Sequence, residues 1–114
     1  MKDLIKDLRA FAKERDWEQF HSPKNLSMAL SVEVAEIVEI FQWLTQEESR
    51  NLNFEKRERV KEEIGDVMIF LANLADKLDI DPMEAAKEKL KINRTKYPAD
   101  LVKGKANKYT ECEE

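Results

Sequence analysis

The chain has 114 residues, of which 24 are acidic and 20 basic, giving a formal net charge of −4 with His neutral. That length suits one domain, and the negative balance argues against sequence-independent binding to nucleic acid or an anionic membrane, both of which need a cationic surface. Cys112 is the single cysteine, which excludes an intramolecular disulfide framework and a CxxC metal site.

Charged residues make up 39% of the chain, with only 2 Gly and 3 Pro, too few for the turns of a many-stranded β protein. An all-α fold is predicted. No apolar run approaches the ~18 residues of a membrane span. Met1-Lys2-Asp3-Leu4 lacks the apolar stretch of a secretory signal, so a cytoplasmic protein is expected.

Leu4, Ile5, Leu8, Phe11 and Ala12 form one apolar stripe of a first helix starting near Asp3. An aromatic segment, Asp16-Trp17-Glu18-Gln19-Phe20-His21, follows it. Ser22-Pro23 reads as an N-cap with proline at the first helical position. The second helix, predicted from about Pro23 to Leu44, is apolar on nearly every side, as suits a bundle centre or a subunit interface. Thr45 with Glu48 resembles a capping box and predicts a short helix. A third long helix is predicted over Phe54 to Leu78, and Asp81-Pro82-Met83-Glu84 opens a fourth that stops before Pro98. The expected organisation is one four-helix domain over residues 1–98 with a polar tail over 99–114.

The informative residues are acids embedded in apolar sequence. Glu33 and Glu36 lie three apart within Val32-Glu33-Val34-Ala35-Glu36-Ile37-Val38, and Glu63 and Asp66 repeat the spacing where the third helix turns apolar. Residues three apart share a helix face, so pairing the two helices would point four carboxylates at one volume. At an effective dielectric of about 20, each close like-charge pair costs on the order of a few kcal/mol. Such groups take up protons or share cations, and oxygen ligands without His or Cys favour Mg²⁺ or Mn²⁺. Magnesium also accepts phosphate oxygens, which points to metal-dependent phosphate chemistry. A solvated acidic face is the plain alternative, as is Trp43 packed in a core and His21 merely ordering its loop.

Glu33-x-x-Glu36 with Glu63-x-x-Asp66 resembles the metal-binding motif of the MazG-like all-α nucleoside triphosphate pyrophosphohydrolases. Asp16 to His21, Pro23-Lys24-Asn25-Leu26, Glu33 to Trp43 and Asn93-Arg94-Thr95-Lys96-Tyr97-Pro98 are similar to the dCTP pyrophosphatase branch of that family. The resemblance implies a four-helix, oligomeric bundle, homodimer or homotetramer. It implies cleavage of a nucleoside triphosphate, dCTP foremost, to monophosphate and pyrophosphate, in removing unwanted nucleotides. Mg²⁺ would be held by Glu33, Glu36, Glu63 and Asp66, with Glu36 or Glu33 taking the proton of the attacking water. It further implies phosphate contacts from Lys89 and Lys96, a sugar or base contact from Asn93, and base-pocket roles for Trp17 and Trp43, with His21 and Tyr97 beside the substrate. One departure stands out: Leu8 is apolar where the cytosine-specific animal enzymes carry a polar residue facing the base. Another nucleotide, such as dUTP or a modified deoxynucleotide, and a non-catalytic helical dimerisation module are the competing readings.

Overall fold

The computed structural model describes residues 1–104; Cys112 and the acidic Glu113-Glu114 end of the expected tail lie outside the described residues. Helices α1 (Lys2–Glu14), α2 (Pro23–Phe41), α3 (Gln46–Arg50), α4 (Phe54–Lys77), α5 (Pro82–Lys96) and α6 (Ala99–Val102) follow one another, with a single 3₁₀ turn at Glu18–Phe20 and no strand among the described residues. The all-α expectation holds. The described chain forms two compact units, Met1–Ile80 and the part from Asp81 onward.

Start signals lie where sequence chemistry puts them. Ser22 Oγ accepts the Asn25 N–H at 3.1 Å, and Asn53 Oδ1 accepts that of Lys56 at 2.8 Å. Thr45 and Glu48 close a reciprocal capping box, at 3.1 Å and 2.9 Å. Asp81 Oδ1 accepts the N–H groups of Met83 and Glu84, opening α5 with Pro82 at its first position. Each such bond satisfies a donor that a helix start leaves without a partner.

Two boundaries differ from expectation. Helix α2 ends at Phe41 and not at Leu44, because Thr45 caps α3 only in extended backbone (φ −74°, ψ 166°), so the chain must leave the helix first. Residues 99–102, expected to be tail, form the single turn α6, whose first carbonyl partner is Pro98, accepting from Leu101 at 2.9 Å. Proline lacks only a donor, which a helix start does not use.

Helix ends α1 and α4 share a device invisible to periodicity. After α1, Trp17 N–H reaches back to the Ala12 carbonyl at 2.9 Å and Asp16 N–H to that of Lys13 at 3.2 Å, with Asp16 at φ +54°. After α4, Ile80 and Asp79 make the same pair of bonds to Ala75 and Asp76, with Asp79 at φ +53°. These are Schellman closures with aspartate in the left-handed position that glycine usually fills.

Within the first unit, α2 and α1 both pack against α4. Ala72 and Ala75 on α4, Ala12 on α1, and Leu26 and Ile40 on α2 are the buried apolar residues. Small alanine side chains let the helix backbones approach. Arg9 on α1 grips Asp76 on α4 with two parallel bonds, Nε to Oδ2 at 2.8 Å and a second through its terminal nitrogen to Oδ1. That contact holds the Asp76 carboxyl below the usual carboxylate range, through the Arg9 hydrogen bond first. Part of the apolar girdle of α2 is exposed: Met28, Val32 and Val38 are each more than half accessible. Leu26 and Ile40 are thus the part of α2 that this unit buries, and the exposed part is the surface that an interface would use. No helix among the described residues is long and apolar enough to cross a membrane.

Candidate active site

The packing of α2 on α4 brings Glu33, Glu36 and Glu63 together. Each is half-buried, and one oxygen from each lies within 4.8 Å of the other two. Around a hexacoordinate hard cation at about 2.1–2.4 Å, ligand oxygens stand about 3–5 Å apart, so the three acids already have a metal-binding spacing.

Their electrostatics point the same way. Glu33 Oε2 and Glu63 Oε2 are both buried without a hydrogen-bond partner among the described residues. Two ionised carboxylates offer each other only lone pairs, and a proton on Glu63 supplies the missing donor. Accordingly the Glu63 carboxyl is pushed up to about 7, by its hydrogen bonds with Glu33 and Glu36 first, then by partial burial and their charge. For Glu33 the hydrogen bond with Glu63 pulls downward, but burial, Glu36 and the charge of Asp66 outweigh it and the net direction is up. A divalent cation held by these acids would give the unpartnered oxygens a ligand and displace the extra proton.

Asp66, one turn beyond Glu63, is half-buried and acts on Glu33 through its charge. It lies outside the tight trio. Glu39, next in the three-residue series on α2, is exposed.

A second feature of the same unit is an apolar pocket of about 270 Å³. Leu8 and Phe11 of α1, Trp17 and His21 of the connecting segment, and Ile69 and Phe70 of α4 line it, with Asp7 and Asn73 as further polar members. Trp17 is fixed edge-on to Phe11, ring centroids 5.6 Å apart at 74°, and the Arg15 guanidinium caps the Phe11 ring at 3.7 Å from its centroid. Asn25 Nδ2 donates to the Phe20 carbonyl at 3.1 Å, tying the segment to α2. A more open concavity of about 440 Å³ runs between Leu44 and Lys56. Its Glu48 and Asn53 side chains are already engaged in capping helices, which makes it the poorer ligand site.

Of the remaining residues singled out by sequence, Trp43 is 86% exposed just past the end of α2, which removes the core explanation for it. It is not among the residues lining the Trp17 pocket. Lys89, Asn93 and Lys96 belong to α5 of the second unit, and Tyr97 is its C-cap. Asp7, Phe11, Ile69, Phe70 and Asn73 line the pocket but are not among the site residues expected from the sequence. For Asn73 a signal existed: it interrupts an apolar run (Met68-Ile69-Phe70-Leu71-Ala72-Asn73-Leu74), just as the acids do.

A family model described as the MazG-like family matches residues 28–112. A human (Homo sapiens) protein named dCTP pyrophosphatase 1 is 44% identical over 113 residues, covering 97% of this chain and 66% of its own length. Its bovine (Bos taurus) namesake is 42% identical over 97% of this chain and 67% of its own. The chain thus spans about two thirds of the length of these curated relatives. Among solved structures, a pyrophosphatase from Archaeoglobus fulgidus DSM 4304 superposes with a TM-score of 0.81 at 43% identity, covering 86% of this chain and 92% of that one.

Proposed function

The chain belongs to the MazG-like family, and from that membership we propose that it hydrolyses a deoxynucleoside triphosphate, dCTP foremost, to the monophosphate and pyrophosphate. The observation that carries this reading is the convergence of Glu33, Glu36 and Glu63, with one buried oxygen each of Glu33 and Glu63 left without a hydrogen bond among the described residues. Bound there, Mg²⁺ (or Mn²⁺) would neutralise triphosphate charge and polarise the α-phosphorus. Glu33, Glu36 and Glu63 would hold it, with Asp66 completing the set. Glu36 or Glu33 then accepts the proton of the attacking water at a carboxylate oxygen, and the two acids keep that water aimed at the phosphorus.

The pocket lined by Trp17 and His21 suits the base, a flat ring that buries well against aromatic side chains. Along α4, Asp66 and Asn73 are seven residues apart, hence on one face and about 10 Å distant at 1.5 Å per residue. That is the reach from an α-phosphate across a deoxyribose to its base. Lys89, Lys96, Asn93 and Tyr97 stay proposed for phosphate and sugar contacts on the family resemblance alone, and their replacement by Ala tests that role through KM.

The uncovered apolar residues of α2, together with Ile64 and Met68 of α4, support a homodimer or homotetramer, with Trp43 covered by a second copy. A cytoplasmic setting and a role in clearing unwanted nucleotides complete the proposal. Pyrophosphate detection with dCTP, with and without Mg²⁺, tests it. Release of single phosphate would exclude cleavage between the α and β phosphates, and metal-independent stability with no turnover would favour a dimerisation module.

A further inference from the structure

Resting on the reading just given, the pocket raises a question of base choice that its apolar lining leaves unanswered. Leu8, Phe11 and Phe70 can bury any planar ring, and apolar packing discriminates weakly between rings of similar shape. Hydrogen bonds to the base edge discriminate strongly. Asn73 is half-buried, lines the pocket, and its carboxamide makes no hydrogen bond among the described residues. Asp7 lines the same pocket from α1 and is exposed. An amide supplies one donor and one acceptor side by side, whereas a carboxylate only accepts.

Cytosine presents an amino group beside a ring-nitrogen acceptor; uracil and thymine present an oxygen beside a ring N–H. Asn73 can turn its amide to meet either pair. Asp7 cannot: it attracts the amino hydrogens and repels a carbonyl oxygen. We propose that Asn73 anchors the pyrimidine edge while Asp7 selects the amino-bearing base, so that this pair replaces the polar residue missing at Leu8 and makes the pocket a cytosine reader. Adenine carries the same donor and acceptor pair, so room for a second ring, not these two residues, separates it from cytosine.

The test is steady-state pyrophosphate release from dCTP, dUTP and dTTP by the full chain, comparing wild type with Asp7→Asn, Asp7→Ser and Asn73→Ala. Both Asp7 variants should lower the dCTP-to-dUTP ratio of kcat/KM by about 10-fold or more, Asn the further because its amide donates to a carbonyl oxygen. Asn73→Ala should raise KM for dCTP about 10–100-fold and leave kcat close to wild type. Asp7 is exposed, so its variants fold, and a ratio between substrates is unmoved by a lower active fraction. Ratios within about 2-fold of wild type in both Asp7 variants, or an unchanged KM in Asn73→Ala, overturn the inference while pyrophosphate release stands. A wild type that releases pyrophosphate from no deoxynucleotide overturns the pyrophosphohydrolase reading and this inference with it.

Discussion

The carboxylate trio and the aromatic pocket share α4 but are built on opposite principles. At Glu33, Glu36 and Glu63 two helices force like charges together, and the packing is unfavourable until something positive or a proton arrives. At Phe11, Trp17 and Phe70 a helix, a connecting segment and a second helix converge on apolar surface that is content to be empty or filled. One region stores electrostatic tension; the other offers shape. The proposed function assigns chemistry to the first and choice of ligand to the second, and on that reading the two should come apart under mutation.

The largest separation is expected from Glu63→Gln. Losing one acid of the trio should lower pyrophosphate release by about 100-fold or more, since even groups that merely orient a metal's ligands are worth 10–100-fold. With one like charge gone, the same variant should melt higher than wild type in the absence of metal, a pairing of lost turnover and gained stability that scanning calorimetry and a kinetic assay would read together. Trp17→Ala attacks the other region: KM should rise about 10–100-fold, the worth of a base–aromatic stack, with kcat retained. A fall in kcat equal to that in Glu63→Gln would break the division between the two regions.

Acidity sharpens the comparison further. The Glu63 carboxyl sits at about 7 in the fold against an ordinary value of 4.5, so the folded state holds the extra proton. Its stabilising contribution is complete below about 4.5 and is lost as pH rises through about 7. The metal-free protein should therefore melt progressively lower between those limits. Mg²⁺ should remove the slope, because it replaces the proton, and a melt unaffected by Mg²⁺ at neutral pH would count against a metal site. Saturation at 100 times Kd corresponds to about 2.7 kcal/mol of added stability.

The smallest effects lie in the backbone. A Cβ at Gly65 meets nothing within 4 Å, so Gly65→Ala should stabilise by about 1 kcal/mol, as for any open helix interior. A loss instead would put a second copy against that face of α4. Asp79→Gly, at φ +53°, should gain about 0.5–1 kcal/mol in chemical denaturation by relieving the left-handed strain.

The same contrast governs how much of the molecule is legible in its sequence. Acids inside apolar runs are anomalies in one dimension, so Glu33, Glu36 and Glu63 stand out from residue order alone. Helix starts are equally plain, because Ser22, Thr45 and Asp81 act on neighbours two or three residues away. The pocket is legible only in part, through Leu8, Trp17 and His21. Phe11 and Phe70 look like ordinary stripe residues, and their meeting depends on how α1 lies on α4. The Schellman closures at Asp16 and Asp79 escape for a related reason: aspartate is a weak sign for a position that glycine marks strongly.

The reversal of the backbone at Asp16 also bears on how such a molecule can change over time. Because that turn sends the chain back beneath α1, Trp17 and His21 reach the pocket from residues 15–22, a joint between helices, while the acids are anchored in α2 and α4. A lineage can therefore rewrite the joint, reshaping one wall of the pocket, without disturbing the helices that carry the acids.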